Sequence, residues 1–216
     1  MPTLVPMPSY ERSHSPMDSK REFVLAEFQH RVKNLMAIIR SIARRTAENA
    51  SNLEDFTQHF DGRLAALSRT FRILARAGAF DIDLEELVRE ELLSQTAEER
   101  ATVNGPTLRL SQNAAGTLGL AIHELAVNAM KYGALANSGG HLAISWAMDE
   151  AVLRLEWRES GVSAMDPEPR HHGFGREWIE QGLPYQLRAR TSLEFLPGGV
   201  VCTIGVPLAQ IVGDPA

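Results

Sequence analysis

Apolar residues recur at alternating steps of three and four along two stretches near the N-terminus, and this spacing constrains the fold more than any other feature. Leu25, Phe28, Val32, Leu35, Ile39 and Ile42 make the first series; Phe56, Phe60, Leu64, Leu67, Phe71 and Leu74 make the second. On a helix each series is one stripe. Asn49-Ala50-Ser51-Asn52 separates them, Ser51 with Glu54 reads as a capping box opening the second helix, and Gly78 marks its end. Two long helices with so short a connection form an antiparallel hairpin. A lone hairpin leaves part of its two stripes wet, so a partner is expected. Pairing of two hairpins into a four-helix bundle, giving a homodimer, is the first reading. The competing one is a monomer in which the rest of the chain folds back over the hairpin.

Residues 1–20 carry Pro2, Pro6, Pro8 and Pro16 among serines and read as a flexible arm, because such a segment buries too little to offset its ordering entropy. The hairpin then occupies 21–80. Beyond it the pattern alternates. Asp83 with Glu86 predicts the cap of a third helix running to about Ser94. Residues 101–111 read as two strands around an Asn104-Gly105 turn, and a fourth helix over roughly 112–132 stops at Gly133. Strands over 141–148 and 151–158 flank Asp149-Glu150, a helix interrupted by Pro184 follows Gly173-Phe174-Gly175, and strands over 192–196 and 200–206 flank Pro197-Gly198-Gly199. Helices over a mostly antiparallel sheet make 81–210 an α/β sandwich, with 211–216 a short tail, so the chain as a whole is α+β.

Composition narrows the function classes. The 216 residues carry 27 acidic and 22 basic side chains, a formal net charge of −5. That balance opposes a nucleic-acid coat, since phosphate binding needs a basic surface. Cys202 is the single cysteine, which excludes a disulfide framework or a cysteine metal knuckle. No stretch approaches the roughly 18 apolar residues of a membrane span and the N-terminus lacks a signal-peptide core. A cytoplasmic protein without membrane insertion is expected.

Three constellations bear chemistry. In Glu27-Phe28-Gln29-His30-Arg31-Val32-Lys33-Asn34, about 100° per residue carries His30 round to near 200° from Phe28, away from the apolar stripe. An exposed, partly uncharged imidazole suits attack on a phosphoryl group, though an ordinary surface histidine has the same signature. In His123-Glu124-Leu125-Ala126-Val127-Asn128-Ala129-Met130-Lys131-Tyr132-Gly133, steps of four and three put Glu124, Asn128 and Lys131 on one helical face. A carboxylate, an amide and an ammonium there can handle water or a metal ion and phosphate charge, and Mg2+ held by Asn128 through nucleotide phosphates is a sensible oxygen site. A solvated amphipathic face is the plain alternative. In Trp157-Arg158-Glu159-Ser160-Gly161 a carboxylate at a strand end can accept from an adenine amino group, and Gly173 and Gly175 ahead of a helix let backbone amides approach phosphates. His171-His172 is set aside as a metal pair, because adjacent side chains diverge.

These three segments, in this order and spacing over about residues 22–208, resemble the HWE family of bacterial sensor histidine kinases, whose name matches His123, Trp157 and Glu159 here. The resemblance implies a dimerisation and phosphoacceptor hairpin followed by an ATP-binding domain of the GHKL, or Bergerat, type. It implies ATP and Mg2+ as cofactors, His30 as phosphoacceptor, and a response-regulator receiver domain as partner. It implies nucleotide contacts from His123, Asn128, Lys131, Tyr132, Trp157, Glu159, Gly161, Gly173 and Gly175. Three departures stand out. Val162-Ser163-Ala164 stands where the family typically has a second glycine and a proline, Arg188-Ala189-Arg190 where a Gly-Gly pair is common, and Arg31 follows the acceptor where many histidine kinases have an acidic base. Arg31 takes no proton, so Glu27, one turn earlier, is the substitute base, beside Glu124 in the catalytic set. A relay protein of the same architecture with a degenerate ATP-binding domain is the alternative. A serine kinase or anti-sigma switch of that superfamily would leave the histidine-bearing hairpin unexplained.

Overall fold

The computed structural model describes residues 16–76, 81–95, 97–162 and 173–212. Two helices, α1 (Pro16–Asn49) and α2 (Leu53–Arg76), form the hairpin. The first starts earlier than Arg21, the expected boundary. Proline is tolerated at a first helical position because its missing N–H would have had no partner there. The cap of α2 also differs from the Ser51–Glu54 expectation. Asn52 Oδ1 accepts from Asp55 N at 2.9 Å, and the Asp55 carboxylate reaches back to Ser51 N at 2.9 Å. The box is shifted by one residue, because with Asn52 as the cap Asp55, not Glu54, is the third helical residue, the position that a capping box pairs with the cap.

Next come β1 (Asp81–Asp83), α3 (Leu84–Ser94), β2 (Ala101–Asn104) and β3 (Arg109–Ser111). Asp83 caps α3 by accepting from Glu85 N at 2.9 Å. The strands β2 and β3 do not pair as a hairpin. Instead β3 runs antiparallel to β1 and β2 runs parallel to a later strand. The intervening Gly105-Pro106 explains it. Pro106 has no N–H for a ladder, its carbonyl accepts from the Trp146 indole at 2.8 Å, and a side chain on Gly105 would strike that ring at 2.2 Å.

The long helix α4 (Gln112–Lys131) leads to β4 (His141–Asp149) and β5 (Val152–Ser160). Their register pairs Asp149 with Val152, so the turn residues are Glu150 and Ala151, one later than expected, with Glu150 at φ 52°. Then α5 (Phe174–Glu177), a single π-turn over Trp178–Gly182 and α6 (Leu183–Leu187) run on without a gap. Pro184 does not interrupt this helix; it sits in the opening turn of α6, where a ring is accommodated, and the π-turn absorbs the irregularity. The chain closes with β6 (Arg190–Leu196) and β7 (Gly199–Pro207). The five-stranded sheet has the order β2-β4-β5-β7-β6, with only the β2–β4 pair parallel. Its apolar face, including Leu142, Ile144, Leu155, Trp157 and Ile204, packs with α4 and α3 residues such as Leu118, Ile122 and Leu92 into one core.

The hairpin joins that core. Ile38 and Ile42 of α1 and Leu67 and Ile73 of α2 are buried together with α4. Two glycines permit the approach: Gly116 faces Ile38 and Leu67, and Gly119 faces Thr70 and Leu87. The sandwich therefore covers one part of the hairpin. Elsewhere Leu25, Phe28, Val32 and Met36 form an open stripe on α1, Phe28 being 63% exposed, and Leu53 is exposed on α2. No described helix is long and apolar enough to cross a membrane.

Candidate functional site

A cleft of about 820 Å³ lies between the hairpin and the sandwich. Its walls bring together Glu124, Asn128, Lys131 and Tyr132 of α4, Glu159 of β5, and Gly173 and Gly175 at the start of α5. His123 also borders it. The asparagine-containing segment, Glu159 of the Trp-x-Glu segment and the Gly173-Phe174-Gly175 turn thus meet at one opening, which no described residue of the Glu27–Asn34 segment borders.

The Trp-x-Glu motif has a direct physical meaning. Alternate residues of a strand share a face, so Trp157 and Glu159 of β5 point the same way. The Trp157 indole donates to Glu159 Oε1 at 3.0 Å, and Ala134 N donates to Oε2 at 2.8 Å. Burial pushes the Glu159 carboxyl above its usual range, and the two donors only partly offset this. A carboxylate has about four acceptor positions, so two remain for an amino group in the cleft. Gly133, just past the end of α4, has to be glycine because a side chain there would stand 1.9 Å from Glu159 Oε2. Its φ is −106°, so close approach and not left-handed backbone requires the glycine. Arg100 fixes the adjoining loop by donating to the carbonyls of Leu135, Ala134, Gly140 and Asn137.

Glu124 is not on a solvated face. It is 7% exposed and paired with Arg63 of α2, whose Nε donates to Oε1 at 2.7 Å and whose Nη2 donates to Oε2 at 3.4 Å. Arg63 also donates to Thr46 of α1 at 3.0 Å and lies over the Phe174 ring at 3.6 Å. His123 faces Glu91 of α3 at 3.1 Å, and Arg69 of α2 grips the same carboxylate at 2.8 and 3.1 Å. Burial raises Glu91, but the bonds from His123 and Arg69 outweigh it and hold the carboxyl below its usual range. Arg45 and Asn49 of α1 both bond Glu177 of α5.

Sequence reasoning missed Arg63 and Arg69. One signal for Arg63 was available: at about 100° per residue it falls within about 20° of Phe56, inside the apolar stripe, where an unpaired charge does not survive. Nothing local names Glu124 as its partner. Trp157 stands behind Glu159, and Gly161 adopts φ 75° against the Gly139 carbonyl. At the two departures from the family pattern, Val162 is buried and its N–H donates to Gly198 O at 3.0 Å, and Arg188 takes a left-handed φ of 50°. Glu27, His30 and Arg31 fall on α1; their side chains and His171-His172 lie outside the described part of the structure. Among the described residues no three His, Cys, Asp or Glu side chains gather as a metal cluster. Burial pushes the Cys202 thiol up to about 12, which leaves it inert.

The model of the HWE histidine kinase family matches residues 27–107. The blue-light-activated histidine kinase of Brucella anthropi is 32% identical over 201 residues, which are 90% of this chain and 41% of that protein. The chain belongs to the HWE family of sensor histidine kinases. The Brucella ovis protein of the same description gives 32% over 202 residues, again 41% of its length, so this HWE chain spans about two fifths of those relatives. Among solved structures, the blue-light activated histidine kinase of Erythrobacter litoralis has a TM-score of 0.58 at 21% identity, covering 86% of this chain and 63% of that one. Its histidine kinase domain alone gives 0.56 at 18%, covering 79% and 96%. At these identities the likeness concerns the fold: a helical hairpin followed by an α/β sandwich of the GHKL type.

Proposed function

We propose that the chain is an ATP-dependent protein histidine kinase that phosphorylates His30 and passes the phosphoryl group to an aspartate of a response-regulator receiver domain, acting in the cytoplasm. The observation that carries the reading is the convergence of Glu159, Asn128, Lys131 and the Gly173-Phe174-Gly175 backbone on one cleft. The donor set suits a magnesium nucleotide. Exposed Asn128 offers an amide oxygen but no protein cage surrounds it, which fits an ion that keeps waters and is held mainly by phosphates. Bound Mg2+ would supply charge neutralisation on the phosphates. The chain's own groups would do the rest: Glu159 accepts from adenine at the floor, Trp157 and Ala134 hold Glu159, and Lys131 balances phosphate charge.

Residues 21–80 act as the dimerisation and phosphotransfer unit and 81–210 as the catalytic one. Glu27 serves as the base near His30, and Glu124 becomes available to water when Arg63 releases it. The γ-phosphorus–oxygen bond to ADP breaks as a bond to an imidazole nitrogen forms, so the work of the protein is mainly positioning. The gathered cleft favours this over a relay with a decayed nucleotide site. Calorimetry with magnesium ATP tests it. Asn128→Ala should remove the magnesium-dependent part of binding, and Glu159→Ala should weaken ATP and ADP alike, each by about tenfold or more. Unchanged affinity in both variants contradicts the assignment.

A further inference from the structure

The cleft has a wall that no nucleotide motif of the sequence supplies. Asp55, His59 and Arg63 of α2 follow one another at steps of four and all line it. Opposite them stand Lys131, Asn128 and Glu124 of α4. The two helices run antiparallel: Gly62 lies near His123, whereas Thr70 lies near Gly119. Arg63 meets Glu124 at one end of the facing columns, and the charge of Lys131 reaches Asp55 at the other. His59 therefore occupies the level of Asn128, the residue assigned to the nucleotide's metal and phosphates.

We propose that His59 is a nucleotide-binding residue contributed by the hairpin, contacting the terminal phosphates of ATP. This rests on the ATP reading above and adds a residue to it. His59 is built for such a contact. Its Nδ1 stands 3.2 Å from Asp55 Oδ1, an ion pair when the ring carries its second proton, and Nε2 on the other side of the ring is left for a ligand. The side chain is 37% exposed, half-sunk in the wall. Burial and the Arg63 charge, with Lys131, hold the imidazole below its usual pKa, against the opposing pull of Asp55 and Glu124. Arrival of a polyphosphate adds negative charge beside it. The ring then takes a proton from solvent at Nε2, and the new N–H donates to a phosphate oxygen. ADP, one phosphate shorter, gains less from this contact, so the docked hairpin senses which nucleotide is bound.

The test is calorimetry of the full chain with magnesium ATP and magnesium ADP, comparing His59→Ala and His59→Gln with the unsubstituted protein. His59→Ala should lose about tenfold or more in ATP affinity while ADP affinity holds. His59→Gln, which keeps a donor but does not titrate, should recover part of the loss, and its ATP affinity should no longer rise as pH falls through neutrality. Unchanged ATP affinity in His59→Ala, or equal losses for both nucleotides, overturns the inference while leaving the proposed function standing. Failure of the unsubstituted chain to bind either nucleotide overturns both.

Discussion

Arg63 and Arg69 stand less than two turns apart on α2 and tie it to the two residues that open the asparagine-containing motif, Glu124 directly and His123 through Glu91. Breaking a buried pair by removing one partner strands the other charge, which typically costs about 3–5 kcal/mol. Arg69→Ala should cost that much, because Glu91 is 1% exposed and would keep only His123. The pair also has a pH signature. The folded-state pKa of Glu91 lies below its ordinary value of 4.5, so its stabilisation is fully present above that value and is lost as pH falls through the folded-state value. Urea denaturation at neutral pH and below about pH 4 should show a large deficit for Arg69→Ala at neutral pH that shrinks in acid. A deficit that stays constant would mean that Glu91 is not the partner that matters. At this scale the sequence marked Trp157 and Glu159 as one strand-end motif, without pairing the two side chains. It was silent where partners are 61 residues apart, as in Arg63 and Glu124.

Single stripes announced both hairpin helices because helical periodicity is a local property, and the α3 cap at Asp83 was legible for the same reason. The β2–β3 hairpin expectation failed because strand partners are chosen by the sheet. Asn104-Gly105 looks like a hairpin turn, yet Pro106 and the Trp146 ring on Gly105 send β2 to β4. Folding of the sandwich over the hairpin was the competing sequence reading, but its seat on α4 was hidden, since it depends on Gly116 and Gly119 leaving room for Ile38, Leu67 and Thr70. Gly119→Ala tests this contact between helices. Its new methyl would stand 2.8 Å from Thr70 Oγ1 and 3.2 Å from Leu87, and overpacking of this kind costs about 1–3 kcal/mol. Thermal denaturation should show the loss, despite the better helix propensity of alanine. An equal or higher midpoint would contradict the packing.

For the whole molecule, the docked arrangement separates the proposed acceptor from the cleft. Thr46 and Asn49 are the α1 residues bordering the cleft, and His30 lies sixteen residues before Thr46, about 24 Å along a helix. Phosphorylation of His30 therefore calls for release of α2 from α4 or for the cleft of a second copy. The open stripe of Leu25, Phe28, Val32 and Met36 favours the second copy as what covers the N-terminal part of α1. Burial of each such side chain is worth about 1.5–3 kcal/mol. Light scattering at micromolar concentration should give twice the chain mass of 23.9 kDa; a mass that stays at the single-chain value on concentrating contradicts the homodimer. The central claim is the chemistry at His30, and incubation with γ-labelled ATP and magnesium reaches it most directly. The unsubstituted chain should take up a label that is lost in acid and survives base, and His30→Ala should take up none while remaining folded. Absence of label on the unsubstituted chain, or the same label persisting in His30→Ala, would contradict the account.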